Sequence, residues 1–258
     1  MLTFNSLQLI TLISNFFWPM VRILSFFSAA PIFNDTLINK KNKIVLSGMI
    51  SWLVFPFLPE IHTELFSYFG FLLLLQQILI GIVLGFTAQL LFVTVNLAGE
   101  IIGLQMGLSF ATFFNSSSHI GTSIISRLLN IFSLLFFLVF NIHLYLISIL
   151  IDSFYSMPID SYFLNVSIFF ILLKFVSCIF LNSILFVLPI IIILLSISFV
   201  MSLLNRLSPQ ISIFSIGFPL NLIVGILVLY FLVPVMLPFL KKILNDLTIF
   251  INNNFLHI

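Results

Sequence analysis

Residues 65–99 read LFSYFGFLLLLQQILIGIVLGFTAQLLFVTVNLAG, 35 residues without one charged side chain. A helix rises about 1.5 Å per residue, so about 20 apolar residues cross the roughly 30 Å of hydrocarbon in a bilayer. This run is long enough to span and too long to stand upright as one helix in lipid. Tilt absorbs only part of the excess. Either a break at one of its glycines or burial of the helix in protein rather than lipid is expected. The whole chain agrees with this stretch: 62% of its 258 residues are hydrophobic and 6% are charged. That composition excludes soluble domains. Helical runs dominate over alternating ten-residue strands, so a β-barrel is not expected.

Outward from residue 65, charges punctuate the chain. Upstream lie Glu60, His62 and Glu64, then an apolar run over 44–59, then Lys40, Lys41 and Lys43. The first run covers 7–33 and is interrupted by Pro19 and Arg22. Arg22 is the first positive charge, so there is no basic region ahead of that run, and it is expected to stay in the mature protein. Downstream, a fourth run covers 128–151 and has the length of an ordinary span. A fifth covers about 162–205 and contains Lys174 and Pro189. A sixth covers 207–240 and contains Pro209, Pro219, Pro234 and Pro238. The fold class that follows is an all-α integral membrane protein in one domain over 1–258. It has about six hydrophobic segments, several of them bent or broken hairpins, and no separate soluble domain. Placing the Lys40–Lys43 cluster in the cytoplasm puts Lys241 and Lys242 outside if there are six simple spans, against the same rule. A hairpin at Pro189 restores them to the inside. Both arrangements stay open.

The 35-residue run ends in a segment of another kind, GEIIGLQMGLSFATFFNSSSHIG at 99–121. Glu100, Gln105, four serines, one threonine, Asn115 and His119 make it too polar for lipid. Phe110, Phe113 and Phe114 make it too apolar for an ordinary wet loop. A segment of this mixture lines or closes something inside an assembly. Gly81 and Gly85 form a GxxxG pair, and Gly99, Gly103 and Gly107 continue the four-residue spacing. Glycines so spaced share a helix face and let a neighbouring backbone approach; chance placement is the plain alternative.

Arg22, Glu100, Arg127, Lys174 and Arg206 are the candidate intramembrane charges. A central arginine costs roughly 2.5–3.5 kcal/mol on insertion scales, so Arg22, like Lys174, is expected to pair with an opposite charge. Arg127 and Arg206 fit the membrane interface equally well. His62, His119, His143 and His257 lack metal-ligand spacing, and Cys178 is a lone thiol in an apolar run. No carboxylate pair, nucleophile motif or phosphate loop is present. No catalytic, cofactor or metal site is expected, and nucleic acid is not an expected partner. The 34 phenylalanines accompany abundant isoleucine and asparagine, all with AT-rich codons. Base-composition drift accounts for them without a binding surface.

GEIIGLQMGLSFATFF at 99–114 resembles the signature of the flagellar biosynthetic protein FliR family, export-gate subunits of type III secretion. The resemblance extends over FFWPMVRILSFFSAAPIF at 16–33, QQILIGIVLGF at 76–86 and NRLSPQISIFSIGFPLNLIVG at 205–225, in order along the chain. It implies a non-enzymatic subunit packed in a helical multi-subunit gate with FliP- and FliQ-type subunits. FlhB- and FlhA-type export proteins, unfolded export substrates and membrane lipid are the other implied partners. Its place would be the bacterial inner membrane, in the flagellar basal body, with energy from the proton-motive force and an ATPase supplied by other components. It also implies a channel plug over Gln105, Met106, Ser109, Phe110, Phe113, Phe114, Asn115, Ser116, Ser117, Ser118 and His119. The family pattern has an acidic residue and a proline just after SFATF. Here Asn115 and three serines follow Phe114, so the charge and stiffness of the tip differ. Two other readings remain: a secondary transporter for a small solute, which broken helices and buried charges also suit, and a scaffold in which the central segment only packs.

Overall fold

A computed structural model describes residues 6–31, 33, 38–58, 67–108, 123–159, 166–208 and 216–251. Seven α-helices occupy them: α1 Ser6–Ala29, α2 Lys40–Val54, α3 Tyr68–Gln105, α4 Ile124–Val139, α5 Ile142–Ser156, α6 Val166–Leu207 and α7 Phe218–Ile251. One 3-10 turn, Phe55–Phe57, follows α2. There is no strand among the described residues. Four helices are long and apolar enough to cross a membrane, over Leu12–Ala29, Tyr68–Gln105, Val176–Leu207 and Phe218–Asp246; the broken pair α4 and α5 is a fifth candidate.

The run lengths resolve differently at each place. Residues 68–99 of the run lie within one unbroken helix, α3, of 38 residues and about 57 Å. Of the two explanations for its length, burial in protein is the one observed, since 56% of its span is buried. The 128–151 run, which looked like one ordinary span, is divided. α4 stops at Val139 and α5 starts at Ile142, with Asn141 between them in the left-handed region at φ 54°. Asparagine tolerates that region better than other residues bearing a Cβ, and without a nearby Gly or Pro the break carries little sequence signal. Pro189 lies inside the continuous α6, so the hairpin alternative does not occur. Pro234 and Pro238 lie inside α7. Pro219 is its second residue, where a missing N–H is no loss.

The chain divides into two compact units. The first comprises Met1–Leu90, Asn141–Lys174 and Asp246–Ile258. In it, α3 docks on α1 at backbone distance. A Cβ built on Gly81 would collide with Ser25 Oγ and the Arg22 carbonyl oxygen, and one on Gly85 would lie 2.7 Å from Phe26 O and 2.8 Å from Ala29 Cβ. Ser25 and Ala29 repeat the small-residue spacing on the opposing helix, so two small-xxx-small faces meet. α2 joins α1 through Ser51 Oγ, which donates to Phe16 O at 3.0 Å.

The second unit comprises Leu91–Phe140 and Phe175–Asn245. Its core gathers Val95, Ala98, Ile102 and Met106 of the α3 end with Leu129, Val187, Ile190, Leu194, Met236 and Leu240. Phe186 and Phe239 stack with centroids 4.0 Å apart. Ser183 Oγ bonds Thr94 O at 3.0 Å. With apolar surroundings on every side, short hydroxyls of this kind join helices where burial of apolar surface gives no preference among partners.

Candidate functional site

α3 ends in a glycine-capped turn. Leu108 N–H donates to Gly103 O and Gly107 N–H to Leu104 O, both at 3.0 Å, with Gly107 at φ 78°. This is the Schellman arrangement, in which a left-handed residue closes the last carbonyls of a helix. Gly107 therefore does not belong to the docking seam that its spacing implied: it lies beyond the helix and shapes the chain's exit. Gly103 is buried and accepts the closing hydrogen bond. Gly99 is a contact point, for a Cβ there would meet the Ser126 backbone at Cα and, 2.9 Å away, at N.

α4 begins after Ser123, and this residue is held by α3. Ser123 is the N-cap of α4 in extended conformation, and its Oγ accepts from Ser126 N at 3.1 Å. The same hydroxyl donates to Gly99 O at 3.2 Å. Ser123 N–H donates to Glu100 Oε1 at 2.9 Å. Ser126 Oγ donates to Asn96 O at 3.0 Å. A carboxylate at a helix N-terminus satisfies an orphan donor and complements the macrodipole, at about 0.3–1 kcal/mol when partly exposed. Glu100 thus works as a cap across helices. Asn96, Ser123 and Ser126 were not singled out in the sequence; serine immediately before the apolar run 124–139 is the N-cap signal that marks Ser123.

The site residues expected from sequence are distributed as follows. Met106 is 1% exposed and packs on α7, where a Cβ at Gly225 would lie 2.6 Å from Met106 Cγ. It fills a core, and that corrects its expected place in a channel lumen. Gln105 is half-buried in the last turn of α3. Ser109, Phe110, Phe113, Phe114, Asn115, Ser116, Ser117, Ser118 and His119 lie outside the described residues, as do His62 and His257. What is described is the base of the central segment: the exit at Gly107 and the return at Ser123, clamped by Gly99 and Glu100.

Arg22 forms a second polar centre, in the first unit, and is fully buried. Its Nε donates to Gln77 Oε1 at 2.7 Å, Nη1 to Ser153 O at 2.8 Å and Nη2 to Met157 O at 2.9 Å. The guanidinium carbon sits 4.2 Å from the centroid of the Phe154 ring. Among the described residues no carboxylate pairs with it, contrary to the ion pair expected. Instead α5, with no basic residue in its own last turn, ends on Arg22. The guanidinium caps its terminal carbonyls, and the negative end of the helix and the aromatic face supply the compensating charge. Gln77, a polar residue in an uncharged run, was the overlooked partner. Arg127, Lys174 and Arg206 are exposed. Lys174 precedes the span that begins at Val176, and Arg206 stands in the last turn of α6, where a cation suits the helix dipole. No group of three metal-ligating side chains occurs among the described residues.

These features define a class: a polytopic α-helical membrane protein whose few buried ionisable groups cap helix ends. The family model described as Bacterial export proteins, family 1, matches residues 13–247. The chain belongs to that family. It is 82% identical over 258 residues to the flagellar biosynthetic protein FliR of Buchnera aphidicola subsp. Acyrthosiphon pisum, covering 100% of both chains. It is 45% identical over 247 residues to the FliR protein of Escherichia coli K12, covering 96% of this chain and 95% of that one. Identity to the Bacillus subtilis FliR protein is 24% over 225 residues, covering 86% and 87%.

Proposed function

We propose that the protein is a non-enzymatic subunit of the flagellar type III export gate. With FliP- and FliQ-type subunits it forms the inner-membrane channel of the flagellar basal body, through which unfolded flagellar substrates pass. FlhB- and FlhA-type proteins complete the export apparatus around it. Within this channel the segment 109–119 closes the path. The observation that carries this reading is the clamp at the segment's base. Ser123, the first residue after that segment, is held by both a backbone carbonyl and a carboxylate of the preceding helix. Together with the capped exit at Gly107, the clamp gives the polar and aromatic segment a fixed origin, as a plug requires.

Copurification tests the assembly: two small membrane subunits should accompany the full-length chain in a stable complex. Deletion of residues 109–118 tests the closure. The deleted form should assemble yet leak small solutes across the membrane; a form that assembles and stays as tight as wild type would exclude the plug.

A further inference from the structure

Helix α2 is built inside out for a soluble protein and too short for a membrane one. Its 15 residues reach about 22 Å, short of the roughly 30 Å of a hydrocarbon core. Its inward stripe is small and polar: Ser47 and Ser51 are fully buried, with Val54 beside them. Its outward stripe is large and apolar. Val45, Met49, Trp52 and Leu53 are 61%, 62%, 72% and 67% exposed, and the spacing 45, 49, 52, 53 puts them on one face. Phe57 extends that apolar surface onto the 3-10 turn, whose Phe57 carbonyl accepts the Tyr155 hydroxyl at 2.7 Å. At the other end stand Lys40, Lys41 and Lys43, three of the nine cations in the chain, with no acidic residue in the first turn to neutralise them.

We propose that α2 lies at the membrane surface, its Lys40–Lys43 end among anionic lipid headgroups and its Val45–Trp52 face in the upper acyl region. An exposed apolar stripe with a lysine cluster at its N-terminal end suits a helix that rests at the membrane interface. Charge complementarity selects lipid as the occupant. Three adjacent lysines attract an anionic leaflet, at about fivefold in affinity each. The tryptophan has the amphipathic ring that settles at headgroup depth. Trp52 is held there by an edge contact with Phe16 of α1, centroids 6.4 Å apart. The lysine cluster assigns α2 to the cytoplasmic leaflet.

The two tryptophans of the chain make the test direct, because Trp18 is 1% exposed while Trp52 is 72% exposed. The full-length protein, isolated with the subunits that accompany it, is placed in nanodiscs containing phospholipids brominated at shallow or deep acyl positions. The difference in fluorescence between wild type and W52F isolates Trp52, whatever tryptophans the other subunits carry. Shallow bromines should quench this difference signal more than deep ones. Brominated phosphatidylglycerol should quench more than brominated phosphatidylcholine at equal content. The K40Q/K41Q/K43Q variant should lose that preference, by up to about a hundredfold in apparent affinity, while the corresponding triple arginine variant keeps it. An unquenched difference signal would mean that a protein subunit covers the face. Strongest quenching by deep bromines would mean that α2 enters the bilayer interior. A preference for anionic lipid that survives removal of the lysine charges would assign it elsewhere. Any of these overturns the assignment.

Discussion

Replacing Arg22 with methionine sets two large effects against each other. Methionine removes the cost of placing an arginine deep in a membrane helix, about 2.5–3.5 kcal/mol on insertion scales. It also removes three hydrogen bonds of 2.7–2.9 Å, each worth about 1.5–3 kcal/mol when a charged group donates. Their loss, about 4.5–9 kcal/mol in total, exceeds the gain, so R22M should destabilise by a net ~1–6.5 kcal/mol. R22K should also destabilise, because one ammonium cannot reach from Gln77 to Ser153 and Met157 at once. The assay is reversible SDS unfolding of the purified protein, combined with amide hydrogen exchange. Exchange should quicken at the α5 end, residues 153–159, in both variants, since that is the helix end Arg22 caps. An R22M protein within about 1 kcal/mol of wild type, or R22K with unchanged exchange at 153–159, would refute the capping argument. Interhelical membrane hydrogen bonds averaging only about 0.6 kcal/mol would then be the better description of this centre.

Three further outcomes follow from the same geometry. Gly81→Ala should weaken α1–α3 docking, because its Cβ has no room beside the Arg22 carbonyl. Gly48→Ala, where nothing lies within 4 Å, should instead stabilise by up to about 1 kcal/mol through helix propensity, and SDS unfolding of both variants reads the contrast. Glu100→Ala should quicken exchange at Ser123–Arg127 and cost about 1–3 kcal/mol through the buried donor left unsatisfied. Glu100→Gln, which keeps an acceptor, should lose only about 0.3–1 kcal/mol. Gly107→Ala should cost about 1–2 kcal/mol for the left-handed conformation, with Gly107→Asn tolerated better, as thermal unfolding of the two proteins would show.

Glycine spacing shows how far the linear pattern reaches. Gly81 and Gly85, then Gly99, Gly103 and Gly107, share one four-residue spacing. In the structure Gly81 and Gly85 meet α1, Gly99 meets Ser126 and Gly107 ends the helix. The period of four is a property of the helix, whereas the partner and the helix end are not. Met106 teaches the same lesson. A flexible thioether beside a polar segment suits a seal, yet Gly225, over a hundred positions away, makes a pocket for it in the core.

The membrane class, the all-helical architecture and the position of the unusual central segment were legible from the chain alone. They depend on local composition, on the distance between charges and on the fixed rise of a helix, all of which can be read residue by residue. The compensation of Arg22 was not legible. Its acceptors at the end of α5 lie 131 and 135 positions away and are backbone carbonyls, which every residue possesses and no spacing betrays. The clamp on Ser123 was half-legible: serine ahead of an apolar run marks the helix start. That Glu100 rather than another group meets its N–H depends on how α3 and α4 pack. Only the tertiary structure brings those two helices within hydrogen-bond range.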